Sequence, residues 1–328
     1  VVNFRFHLVS IVAIFLALGV GILMGSTVID QATVRQLRRN IEGFRTQRDD
    51  ARRLAADRRA ELERWDRFAR QVQPELFAAR LAGVPVLVVS AEGVPGDLLD
   101  AVHTWLTGAG ATDLGTLRLT DRFALGGDAA VRDLAEAIGS SETRPDALRA
   151  AALDALAAAL VPSPTAPPEP AAAEAEAGAA PTTVTTAPAG THLIDALQRA
   201  GFVEHQPAPG GPRALAGALV AGTRLVVVGG SGASLDDRFG TLPLCRRLAR
   251  TDGAAVVAAE AAGPGGSPGP FVRQLRADET VAARISTIDD LDRFFGMVAL
   301  VLAVEDLASG TTGHYGLGTD RLVPAPNA

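Results

Sequence analysis

No lysine occurs among the 328 residues, and all 31 basic side chains are arginine. A phosphate loop of the G-x-x-x-x-G-K-[ST] type and a Schiff-base mechanism both need a lysine amine, so both are excluded. Cys245 is the only cysteine. That removes an intramolecular disulfide and any zinc site built from cysteines. Aromatic residues amount to 5%, with one tyrosine. A membrane β-barrel needs ~10-residue alternating strands with aromatic girdles, and the chain offers neither. Five histidines (His7, His103, His192, His205, His314) and two methionines (Met24, Met297) are scattered without H-x-x-H or M-x-x-M spacing. An isolated histidine is more often a core or surface residue than a ligand, so no metal ligand can be named. The net charge of −6 gives no reason to expect a nucleic-acid partner.

What the chain does have is one long uncharged run at its start. Residues 8–24 (LVSIVAIFLALGVGILM) carry no charge, and Gly25 and Ser26 close the run. At ~1.5 Å per residue it spans roughly 25 Å, just short of a ~30 Å hydrocarbon core, and Phe4 and Phe6 extend it. The reading is a transmembrane anchor over residues 1–27, with Leu8, Phe15, Leu16, Ile22 and Met24 facing lipid. The alternative is a cleaved signal peptide ending near Gly25-Ser26-Thr27, although the run is long for one and lacks an A-x-A site. A short tail before a first membrane helix usually stays inside, which places the bulk of the chain extracytoplasmic.

Residues 28–73 change character abruptly. Apolar residues recur at alternating spacings of three and four: Val34, Leu37, Ile41, Phe44, Ala51, Ala55, Leu62, Trp65, Ala69 and Val72, with Arg48 and Arg58 breaking the series. About six heptads with no proline read as a coiled-coil rod and a homodimer, with Val34, Leu37, Ile41, Phe44, Leu62 and Trp65 at the interface. A single amphipathic helix packed on its own domain is the alternative. Residues 30–73 hold 12 Arg against 8 Asp or Glu, a net +4, so the remainder carries −10.

Beyond Pro74, short apolar runs alternate with helical patterns. VPVLVVS (84–90) and RLVVV (224–228) read as strands buried on both faces, joined by further strands at 114–119, 254–259 and 281–286. Helices fit 97–107, 129–139, 146–160, 193–200, 242–250 and 290–307. This grammar predicts an α/β domain of Rossmann-like or flavodoxin-like type in two parts, 74–161 and 191–318, with a tail at 319–328. Between the parts, residues 162–190 collapse into Pro, Ala, Thr and Glu and read as a disordered insert.

Two stretches are candidate sites. Gly229, Gly230, Ser231 and Gly232 follow a predicted strand, where a doubly wound sheet binds ligands. The spacing is not G-x-G-x-x-G and no histidine lies near Ser231, so an ordinary turn competes with a ligand site. Near the end, glycines 310, 313, 316 and 318 surround His314 and Tyr315. These two residues either line a partner or ligand surface or belong to a tail folded back on the sheet. No catalytic constellation and no cofactor motif is present.

The N-terminal HLVSIVAIFLALGVGILMGS, the heptad rod, the VPVLVVS and RLVVVGG strands and the closing STIDDLDRFFGMVALVLAV…SGTTGHYGLG together resemble the actinobacterial copper transport (MctB-like) family. The resemblance covers both ends and the α/β core. It implies a membrane-anchored envelope protein with a role in copper homeostasis or efflux, and copper as a partner by resemblance only. Relatives are described as outer-membrane channel proteins, and others as acting in envelope assembly and division beside a membrane partner. The alternative is therefore a non-enzymatic dimeric scaffold that binds envelope-assembly or cell-division proteins through its coiled coil and α/β head.

Overall fold

The computed structural model describes residues 4–162, 190–215, 217–230, 232–263 and 267–324. The expected disordered insert therefore lies outside the described residues apart from its two end positions, as do Ser231 and the last four residues of the tail. The chain divides into two compact units, Val1–Phe68 and Ala69–Ala328.

The first unit is helical throughout its described residues. Helix α1 runs Phe4–Phe77, and its segment Phe4–Gly25 is long and apolar enough to cross a membrane. Leu8, Phe15, Leu16, Ile22 and Met24 are all exposed there. The rod was expected to stop before Pro74, because proline disfavours helix in the residue ahead of it. Instead the helix continues to Phe77. Proline removes one backbone donor, and the buried Phe77 ring, edge-on to Trp105 at 5.8 Å, holds the last turn in place. Ala79, in the left-handed region at φ 63°, then turns the chain away.

The second unit is mixed α/β around a seven-stranded sheet. Strands β1 (Pro85–Ala91), β2 (Thr112–Leu119), β3 (Val203–Gln206), β4 (Arg224–Val228), β5 (Ala255–Ala259), β6 (Ser286–Ile288) and β7 (His314–Tyr315) lie in the order β3-β2-β1-β4-β5-β6-β7. Only the β2–β3 pair is antiparallel. Val86 to Val89 and Leu225 to Val228 are buried on both faces, as continuous β-branched runs require.

Helix α2 (Gly96–Gly108) carries the crossover from β1 to β2. Helices α3 (Asp128–Ala137), α4 (Pro145–Leu160) and α5 (Gly190–Arg199) precede β3, and α6 (Thr241–Leu248) links β4 to β5. After β5 come α7 (Pro270–Arg276) and α8 (Glu279–Ala282), and α9 (Phe294–Asp306) joins β6 to β7. From β1 the sheet grows one way to β2 and the other way to β4. Right-handed crossovers therefore place their helices on opposite faces. Helix α2 packs with α9, and α4 packs with both α5 and α6. The α4–α5 contact brings together the chain on either side of residues 163–189.

The strand expected at 281–286 is the short helix α8 followed by β6. Asp278 caps that helix by accepting from Val281 N at 3.4 Å, which favours a turn over extension. Strands β3 and β7 were not expected. Each is short, and its pairing partner defines it.

Candidate functional site

The turn after β4 is glycine because two carboxylates close in on it. Gly229 N donates to Ala259 O at 3.1 Å, and Gly230 N donates to the Asp237 carboxylate at 3.1–3.2 Å. Asp237 also accepts from Thr241 Oγ1 at 2.6 Å. A Cβ on Gly229 would stand 2.7 Å from Asp237 Oδ1, and one on Gly230, at φ +95°, 2.7 Å from Glu260 Oε2. The Gly230 amide, the donor an anion would need, is thus engaged by the protein's own carboxylate.

The crevice between the ends of β1 and β4 is filled as well. Glu92 O accepts from Ser234 N at 2.6 Å and from Leu235 N at 3.3 Å. A Cβ on Gly93 would lie 2.4 Å from Ser234 N, and one on Gly232 3.2 Å from the Pro95 ring. The loop after β4 therefore lies directly on the β1–α2 turn at the point where the sheet reverses direction.

Glu260 and Asp289 link this turn to the C-terminal glycine stretch. Glu260 is fully buried and accepts from Phe271 N and Val272 N at 3.2 and 3.0 Å. Burial pushes its carboxyl up to about 7; those two amides oppose the shift, and Asp237 and Asp289 add to it. Burial likewise raises Asp290 to about 7, with Asp289 and Asp292 adding and Arg276 opposing. Arg276 ties the neighbouring groups together, donating to Asp289 Oδ2 (2.6 Å), Thr287 Oγ1 (2.8 Å) and Tyr315 O (2.9 Å).

His314 and Tyr315 form β7, parallel to β6. His314 Nδ1 meets Thr287 Oγ1 at 2.8 Å; burial, and then Arg276, lower its pKa. The Tyr315 ring is buried and its hydroxyl lies against Gly313, where a Cβ would be 2.1 Å away. Gly316, at φ +119°, and Gly318 wrap Asp289, and Gly318 N donates to its Oδ2 at 3.1 Å.

A second polar arrangement has no signal in the sequence. His103 Nδ1 lies 2.7 Å from Asp113 Oδ2 and its Nε2 2.7 Å from Thr116 Oγ1, beside a cleft of about 810 Å³ between α2 and β2. Asp113 also accepts from Gly115 N at 2.8 Å. Residues three apart on a strand normally face opposite sides. Here a bulge at Gly115 (φ +90°) adds a residue opposite β1, and Asp113 and Thr116 both meet the same imidazole. A carboxylate only accepts, so Nδ1 carries a proton toward Asp113, while the Thr116 hydroxyl, able to donate or accept, faces Nε2.

Among the described residues, no three His, Cys, Asp or Glu side chains are placed to hold a metal ion. Cys245 is buried, and burial pushes its thiol well above the usual range. In the first unit the seam residues Leu37, Ile41, Phe44 and Trp65 are exposed, with Trp65 edge-on to Phe68 at 6.1 Å. The side chains of Val34 and Leu62 lie outside what the structure describes.

Residues 1–326 match the family model described as "Copper transport outer membrane protein, MctB". The chain is 29% identical over 329 residues to "Copper transporter MctB" of Mycobacterium tuberculosis (strain ATCC 25618 / H37Rv), covering 97% of this chain and 96% of that protein. It is 28% identical over 339 residues to the protein of the same name in Mycobacterium leprae (strain TN), with the same coverage. From its N-terminal apolar helix to its closing glycine stretch, this chain belongs to the MctB copper transport family.

Proposed function

We propose that this protein is a single-pass, membrane-anchored envelope protein acting in copper homeostasis, with its α/β head outside the cytoplasm. The match to the copper transport family over residues 1–326 carries this reading. The anchor is residues 1–27, followed by a rod (28–73), a head in two parts (74–161 and 191–318), an insert between them (162–190) and a tail (319–328). The rod pairs two copies as a parallel coiled coil. Exposed Leu37, Ile41, Phe44 and Trp65 support this, since each is worth ~1.5–3 kcal/mol when buried. Two chains confined to one membrane meet at raised effective concentration.

The head is a doubly wound sheet of Rossmann-like or flavodoxin-like type. Counting parallel strands alone, the order is second, first, third, fourth, fifth, sixth, which favours the flavodoxin-like form. The filled crevice between Gly93 and Ser234 supports a non-enzymatic head, in which the glycine turn is a structural joint. An open sheet with helices packed against it is a poor pore. The second reading, a scaffold for envelope-assembly or division proteins, is favoured by the exposed rod.

Copper measurements in cells separate the two readings. Deleting the gene is expected to raise cell-associated copper and copper sensitivity, restored by the full chain but not by one lacking residues 1–27. Unchanged copper together with a division or envelope defect would transfer the assignment to the scaffold.

A further inference from the structure

The charges beside the seam are sorted by helix face. With Leu37, Phe44, Ala51, Arg58 and Trp65 on one line of the heptad and Ile41, Arg48 and Ala55 on the other, the position after Leu37 recurs as Arg38, Arg45, Arg52 and Arg59. A spacing of seven keeps four such side chains on one flank, drifting only ~20° per heptad. All four are exposed, and among the described residues none forms an ion pair or hydrogen bond. Their neighbours behave differently: Arg48, Arg53 and Arg58 pair with Asp49, Asp50 and Glu61 at 2.8, 3.9 and 3.7 Å.

In a parallel two-stranded coil, this flank faces the residue five positions earlier on the other chain, and opposite charges there set partner choice. Those residues are Asn40, Gln47 and Leu54 for Arg45, Arg52 and Arg59. None is acidic. Glu61, an acid on that second flank, is already bound to Arg58 of its own helix. Glu42, Asp49, Asp50, Asp57 and Glu63 stand on the outward face, and the arginine line itself ends one heptad past Arg59 at Asp66. A second copy can cover the apolar seam but leaves the arginine line uncompensated. On the second flank, Leu54 and Phe68 add exposed apolar area at 60% and 54% exposure. Apolar area there widens the stripe beyond what two helices bury.

We infer that the grooves flanking the paired rods bind an acidic amphipathic helix of another protein, with its carboxylates on Arg45, Arg52 and Arg59 and its apolar face on Leu54 and Phe68. This rests on the dimer reading, since the groove needs both chains. The test uses the full-length protein in phosphatidylcholine nanodiscs. Its probe is a synthetic 28-residue helix with Leu along its seam and Glu on both flanks; the control carries Lys in place of Glu. The Glu peptide is expected to bind, weakening about tenfold from 50 to 500 mM salt, while the Lys peptide does not bind. Combined Arg45→Glu, Arg52→Glu and Arg59→Glu substitution should abolish Glu-peptide binding and admit the Lys peptide. The corresponding three Arg→Lys changes should retain binding. Equal binding of both peptides, no binding of either, or Glu-peptide binding that survives charge reversal would each overturn the proposal. So would salt-resistant pairing of two dimers through this groove, which would make further copies the occupant. The dimer itself is read from Leu37→Cys, because Cys245 is buried and does not compete. Cross-linking without peptide binding refutes the acidic partner alone. Glu-peptide binding without cross-linking refutes the dimer and, since the groove needs both chains, overturns the proposal with it.

Discussion

Gly230 and Glu260 occupy each other's space: a Cβ on Gly230 would stand 2.7 Å from Glu260 Oε2, at a backbone φ of +95°. A side chain at this position meets both an unfavourable backbone conformation and a buried carboxylate. The contact explains why a glycine ends β4 where a nucleotide fingerprint would otherwise be sought.

Gly230→Val is therefore expected to cost roughly 2–4 kcal/mol of stability, from strain and overpacking together. Gly253→Ala, with φ +79° and open space around it, should lose only about 1 kcal/mol. Thermal unfolding of both variants checks the difference. NAD and ATP should show no saturable binding to the wild type. Affinity for either that disappears in Gly230→Val would reverse the structural reading of the turn.

Stability should fall as pH rises from about 4 to about 7, through Glu260 and Asp290. Both carboxyls sit near 7 in the folded chain, against ordinary values of 4.5 and 3.8. Between those values the unfolded chain ionises while the folded one stays protonated, so their contribution is complete below about 4 and lost by about 7. For Glu260 this amounts to something on the order of 3 kcal/mol. Glu260→Gln keeps an acceptor for only one of Phe271 N and Val272 N, which bond different carboxylate oxygens; it should lower overall stability yet flatten the profile relative to wild type in denaturant melts at several pH values.

The His103–Asp113–Thr116 arrangement predicts an asymmetric pair of mutants. Asp113→Ala leaves His103 Nδ1 and Gly115 N without their acceptor and should cost about 1–3 kcal/mol. Thr116→Val, which removes one hydroxyl and keeps the shape, should cost less. A double-mutant cycle measured by denaturant unfolding should show coupling between the two, transmitted through the ring.

The rod is tested by replacing Ile41 and Leu62 with Asp. Full-length protein in nanodiscs should pass from dimer to monomer while the α/β unit keeps its cooperative melt. A wild-type monomer under the same conditions, with its seam intact, would count against pairing of two copies.

Much of the fold was legible because it rests on local rules. The uncharged run at 8–24, the three-four spacing from Leu37 to Trp65 and the β-branched runs of β1 and β4 each announce their element. Strands β3 and β7 announce nothing. VEHQ and HY have no strand signal of their own and become strands only beside β2 and β6. His314 and Tyr315 were recognisable as the centre of a defined loop, but not as sheet residues held by Thr287 and Arg276. Glu260, Asp237 and Asp289 passed unnoticed, since a lone carboxylate in sequence looks like any other surface acid.

By itself, the sequence determined the chemistry that is excluded, the membrane-length helix, the seam with its flanking arginines, and the alternation of strand and helix. Composition and periodicity act within a few turns of chain, and no packing is needed to read them. Tertiary structure alone decided which polar groups meet. It set Asp113 and Thr116 on one imidazole through a bulge, folded Ser234 onto Glu92, and brought the 229–230 turn and the Gly316–Gly318 segment against two buried carboxylates. Those contacts join residues 10 to more than 140 positions apart, and only the register of a close-packed sheet fixes such distances.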